Sequence, residues 1–213
     1  MQKSKRHFLI INLFLPLVLA SCATNNLAKD LKPVTPEKTI YNAPYFSNPE
    51  IDYVYKATIN VYRNELSGIF IAKKINDATH RVVFTTEFGN KLLDFEISET
   101  NFKVNSIVDE LNKKIIITTL KKDFRLILRS NYIINEQLED EKSKVFKSDE
   151  GTNYNYLYIN KSDEKLYKIV SASKRKEKIR IDFASEKNNI ADTIVIQHYN
   201  IKLRIKLIFF KPN

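Results

Sequence analysis

From Ile51 to Lys211 the chain contains no proline, although the full 213 residues hold six. Over the same span Val, Ile, Tyr, Phe and Thr recur at alternate positions. Sheet interiors call for both features, because proline cannot donate to the hydrogen-bond ladder and branched or aromatic side chains fill a pleated surface. Tyr53, Tyr55, Ala57, Ile59 and Val61 mark one face of a first strand, followed by strands over 66–75, 81–88 and 91–97. Asn64, Asn76-Asp77 and Gly89-Asn90 supply the turns between them. A second series covers 154–159, 165–170, 178–183, 193–198 and 201–210. In the last of these, Ile201, Leu203, Ile205, Leu207 and Phe209 face one way and Lys202, Arg204 and Lys206 the other, which is one buried and one wet face. Loops this short join antiparallel neighbours, since parallel strands need long crossovers.

Between the two series the period changes. Ile116, Leu120, Phe124 and Ile127 form the stripe of an amphipathic helix within 106–128, with Ser106 and Asp109 as an N-cap pair. The run Ile115-Ile116-Ile117 also suits a buried strand. The whole predicts a mainly β domain: a curved antiparallel sheet or incomplete barrel of about ten strands closed by one or two helices, with an apolar cavity.

The start of the chain reads as an address. Lys3, Lys5 and Arg6 precede an apolar run from Phe8 to Ala20 that is too short to span a bilayer. It ends in Leu19-Ala20-Ser21-Cys22, which resembles the lipobox of bacterial lipoproteins; an ordinary secretory peptide beside a chance cysteine is the alternative. The resemblance implies a signal peptide over 1–21, and a Cys22 carrying diacylglycerol and an N-acyl chain. Ala23 in place of an aspartate implies the outer membrane, with the protein facing the periplasm. Residues 22–50 carry four of the six prolines and read as an extended tether, so that the folded domain is expected over 51–213.

Charge and composition narrow the chemistry. A single cysteine excludes a disulfide framework and a thiolate metal site, and no cofactor is expected beyond the acyl groups on Cys22. Losing residues 1–21 removes three basic residues and no acidic one, lowering the formal charge from +10 to +7. Nucleic acid is not an expected partner of an exported chain, which leaves anionic head groups, acidic envelope surfaces or solubility as the meaning of that charge.

Three stretches, in order, resemble the LolA/LolB superfamily of bacterial lipoprotein carriers and receptors. They are Leu66-Ser67-Gly68-Ile69-Phe70-Ile71, then Arg81-Val82-Val83-Phe84-Thr85-Thr86-Glu87-Phe88-Gly89, then Ile201-Lys202-Leu203-Arg204-Ile205-Lys206. The resemblance implies a half-barrel closed by helices, an apolar cavity for acyl chains, and outer-membrane lipid, acylated lipoproteins and a periplasmic LolA-like carrier as partners. It also implies that Phe88, ahead of Gly89, occupies the position of a protruding membrane-insertion residue.

Each feature has a plainer reading. Phe88 is also placed to be the last inward residue of its strand, in line with Val82, Phe84 and Thr86. Val83, on the opposite face, and Leu93, Phe95, Ile97, Ile116, Leu120 and Phe124 line either a lipid cavity or an ordinary core. Lys174, Arg175, Lys176 and Lys178 form a basic cluster that suits a solvated hairpin, and Glu136, Glu139, Asp140 and Glu141 a solvated linker. After the signal peptide only His80 and His198 remain, with no HExxH, GxSxG or phosphate loop, so no enzyme activity is expected. Asp94 and Glu96 read as surface ion pairs. The sequence thus predicts an acyl-chain or lipoprotein binder that serves delivery to the outer membrane. A packed, non-catalytic envelope module with a basic docking face is the alternative.

Overall fold

A computed structural model describes residues 30–211 apart from 175 and 188. The signal peptide, Cys22 and Arg175 therefore lie outside the described residues.

The main sheet has 13 strands, all pairs antiparallel. One arm is the meander β3 (Asp52–Val61), β4 (Asn64–Lys74), β5 (His80–Thr85), β6 (Lys91–Ile97) and β7 (Phe102–Ile107). The other is β9 (Glu136–Glu139), β10 (Ser143–Glu150), β11 (Asn153–Asn160), β12 (Leu166–Ser173), β13 (Glu177–Ala184), β14 (Thr193–His198) and β15 (Leu203–Phe209). The last strand pairs with β3, with Ile205 opposite Ile59, and this joint merges the arms. The short β1 (Lys32–Val34) adds to β9, so β1 and β7 are the two edges and the sheet is not closed into a barrel. A two-stranded sheet of β2 (Ile40–Asn42) and β8 (Asn131–Ile133) stands apart.

Alternation places the core where the sequence predicts it. Tyr53, Tyr55, Ala57 and Ile59 of β3 and Leu203, Ile205 and Leu207 of β15 are buried on the concave side, while Arg204 and Lys206 are exposed outside. The helix α1 (Lys114–Leu128) lies against that concave side. Its Phe124 ring packs 5.4 Å from Phe70 and 6.4 Å from Phe95. Leu120 and Ile127 are buried with it and Ile116 is half-buried, so the 3.6-residue stripe prevails over the β preference of the isoleucine run. The helix starts later than Ser106, which belongs to β7; Lys113 takes the N-cap position without a side-chain cap.

Two expectations are corrected. The tether assigned to 22–50 does not hold over its described part. There β1 pairs with β9, β2 pairs with β8, and Tyr41, Ala43, Tyr45 and Phe46 are buried in the main core, so the folded unit begins well before Ile51. The prolines are compatible with this because Pro33 sits on an edge strand, where a missing N–H costs no ladder bond. Glu136 to Glu139 is likewise a paired strand instead of a linker.

Candidate functional site

One end of the concave side is sealed by the strap over 43–50. Phe46 is fully buried against Tyr53 at 4.9 Å and Tyr55 at 5.8 Å, and Tyr45 stacks on Phe183 at 4.8 Å while its hydroxyl donates to the Leu166 carbonyl at 2.7 Å. His80 Nε2 lies 2.8 Å from the Phe46 carbonyl and donates to it. Burial lowers the pKa of this imidazole, which keeps it neutral, with the hydrogen bond working the other way.

At the opposite end, the mouth, the N-terminal half of α1 meets β3, β4, β6 and β15. An apolar seam lies between them, lined by Ile59, Leu66, Leu93, Ile116, Leu120 and Leu203, with Tyr62, Ile115 and Ile201 at its rim. Its free volume is about 30 Å³, roughly one water molecule's share of liquid. Leu93, Ile116 and Leu120 of the predicted cavity wall do line this seam. Phe95, Ile97 and Phe124 are packed deeper in the core. Val83 points to the outer face, half-buried beside Ile71 and Asp94, because it alternates with Val82 and Phe84.

Phe88 projects from the β5–β6 hairpin at the same end and is 94% exposed. The hairpin is closed by the Thr86 N–H on the Asn90 carbonyl at 2.8 Å and by the Gly89 N–H on the Thr86 carbonyl at 3.0 Å. Gly89 has φ +86°, a conformation that glycine adopts at no steric cost. The strand ends at Thr85, so Phe88 is not an inward strand residue.

A polar pair that sequence reasoning missed fastens α1 to the sheet. Asp123, fully buried on the apolar side of the helix, accepts from His198 Nε2 of β14, which lies 3.0 Å from Oδ2 and 2.9 Å from Oδ1. Burial pushes the Asp123 carboxyl above the usual aspartate range, and the His198 contact opposes that shift. The available signals were an acid three residues after Leu120 on the stripe and a histidine in phase with Ile194 and Ile196. On the outer face Asp94 is almost fully buried beneath Arg81, which binds it through Nε at 3.0 Å and Nη2 at 2.7 Å, with Lys91 at 2.9 Å. The Arg81 guanidinium holds that carboxyl well below the usual range, as an ion-pair role requires.

A larger cleft of about 560 Å³ lies at the far end of α1, where Ile97, Leu128 and Ile133 line it beside polar side chains, and its Arg125 and Arg129 are engaged by the Ser98 carbonyl and by Glu99 and Glu150. Among the described residues no cluster of His, Cys, Asp or Glu has the arrangement of a metal site.

No known family's sequence profile matches the chain, and no curated protein does. Among solved structures, a LolA superfamily protein from Nitrosomonas europaea superposes with a TM-score of 0.52 at 10% identity, over 78% of this chain and 87% of that one. The fold is LolA-like. A candidate outer membrane lipoprotein-sorting domain from Vibrio parahaemolyticus aligns with a TM-score of 0.45 at 11% identity, over 75% of this chain and 83% of that one. At such identities the likeness is one of fold, and function has to be argued from the site.

Proposed function

We propose that this protein binds acyl chains, as free lipid or on a lipoprotein, at the seam beneath α1 and serves their delivery to the outer membrane, to which Cys22 anchors it. The observation that carries this reading is the apolar seam at the unsealed end of a LolA-like half-barrel, next to an exposed Phe88. The seam as it stands admits about one methylene-sized group, so an acyl chain enters by displacing the N-terminal half of α1, whose apolar stripe it replaces against the same wall. Each acyl CH₂ moved out of water gains about 0.8 kcal/mol, much the same in a protein cavity as in a bilayer. Transfer is then nearly isoenergetic and needs no covalent chemistry. Phe88 is the residue that meets the membrane, and a periplasmic LolA-like carrier is the donor the fold suggests.

Native mass spectrometry with a triacylated cysteine peptide tests this. The Cys22→Ala chain, which lacks its own acyl groups, gives a one-to-one adduct that Ile116→Trp abolishes by filling the seam. Absence of any adduct or copurified lipid from the folded chain overturns the reading. The tight seam, with about 30 Å³ free, then favours the packed envelope module instead.

A further inference from the structure

We propose that the outer face of β15 is a docking ridge for an acidic segment of a partner protein. Lys202, Arg204 and Lys206 project from alternate positions of the strand and its lead-in, all exposed. Lys56 of β3 stands beside them, opposite Ile208 in the register. Several surface cations sit against carboxylates, as Lys73 does on Asp52, Arg81 on Asp94 and Arg180 on Asp182, and others, such as Arg63, Lys114 and Lys142, have no ion pair among the described residues. The ridge gathers three cations of the unpaired kind along one strand and its lead-in. Among the described residues Lys202, Arg204 and Lys206 have no ion pair or side-chain hydrogen bond, and Lys56 has only a 6.0 Å contact with the Phe210 ring.

The reason lies in the register. Arg204 is flanked by Asn60 on β3 and Gln197 on β14, and Lys206 by Thr58 and Val195, so both neighbouring strands present neutral side chains. Alternate residues on a strand are about 7 Å apart, which is within a Debye length at physiological salt, so the three charges reinforce one another. The same spacing is that of carboxylates on alternate residues of an extended segment. Exposed apolar groups bracket the ridge, with Tyr62 and Tyr199 at the mouth end and Ile208 and Phe210 at the other. They supply the apolar contact that charge alone does not.

A bilayer is the poorer match. The ridge runs along the strand away from the mouth for about 14 Å, so a membrane at the mouth has only the Lys202 end within a Debye length. The proposal stands whether or not the seam takes lipid, since none of the ridge cations lines it.

Titration of the ¹⁵N-labelled full chain with a poly-glutamate peptide at 150 mM salt tests the ridge against the overall positive charge. Shifted amides are expected to cluster on β15, β3 and β14. The triple variant Lys202→Gln, Arg204→Gln, Lys206→Gln should weaken binding at least tenfold with unchanged thermal stability. A charge-matched control, Lys122→Gln, Lys142→Gln, Lys176→Gln, should weaken it less than twofold. Equal losses in the two variants, or shifts scattered over the surface, overturn the proposal. So does a ridge that responds to phosphatidylglycerol vesicles and not to the peptide, which assigns it to lipid.

Discussion

Removing the imidazole of His198 strands a carboxylate between α1 and the sheet. Asp123 is fully buried, and His198 is its partner across the helix–sheet gap. Deleting one member of a buried pair typically costs about 3–5 kcal/mol, because the remaining charge keeps its desolvation penalty without compensation. Replacing both members with apolar groups of similar size is often neutral. His198→Leu is therefore expected to lose about 4 kcal/mol, and Asp123→Leu/His198→Leu to recover most of it. With a urea slope of about 2 kcal/mol/M, the single variant's unfolding midpoint falls by about 2 M and the double variant's returns near the wild type. Urea unfolding followed by circular dichroism reads both midpoints. A loss below about 1 kcal/mol for His198→Leu, or a double variant no more stable than the single one, refutes the claim that this pair pins the helix.

Other positions give independent checks. Gly68→Ala places a Cβ 1.9 Å from the Thr85 carbonyl oxygen on the neighbouring strand, so the β4–β5 ladder has to shift; a stability loss of about 2 kcal/mol or more is expected in the same assay. Phe46→Ala should cost about 3–5 kcal/mol, whereas a residue on a free tether would cost nothing, so this substitution decides whether the strap belongs to the fold. Because the Asp94 carboxyl is depressed by Arg81, its contribution is fully present above the ordinary aspartate value of about 3.9 and is lost as pH falls from there through the depressed folded value. Urea midpoints measured from pH 5 down to pH 2 should fall less steeply for Asp94→Asn than for the wild type. Phe88→Glu should leave the unfolding midpoint unchanged, given its exposed tip position, while abolishing transfer of an acylated peptide to vesicles.

What the sequence makes legible follows from how directly each feature depends on local pattern. The last strand is readable because one face is buried and the other wet, and Leu203, Ile205 and Leu207 are indeed buried against exposed Arg204 and Lys206. The edge strand β7 shows no such rhythm, since its residues from Lys103 to Ser106 are all exposed, and Ser106 therefore passes for a helix cap. The strap carries the composition of a linker, and its buried status depends on Ala43, Tyr45 and Phe46 finding pockets made by distant strands. The pair of Asp123 and His198 is 75 residues apart, beyond any periodicity argument, although each stands out as polar on an apolar face. Three of the expected wall residues line the seam, and Val83 does not, because a strand side chain next to inward neighbours points outward. Cavity size is the least legible quantity, since alternation fixes which side is inside and says nothing of how tightly α1 fills it.

Occupation of the seam beneath α1 by acyl chains is tested most directly by a diazirine-bearing palmitate, photolysed on the Cys22→Ala chain and mapped by peptide mass spectrometry. Labels on Leu93, Ile116, Leu120 and their neighbours at the mouth are the predicted result. Labels confined to the outer faces of the sheet, or none above a detergent-competed background, would contradict it.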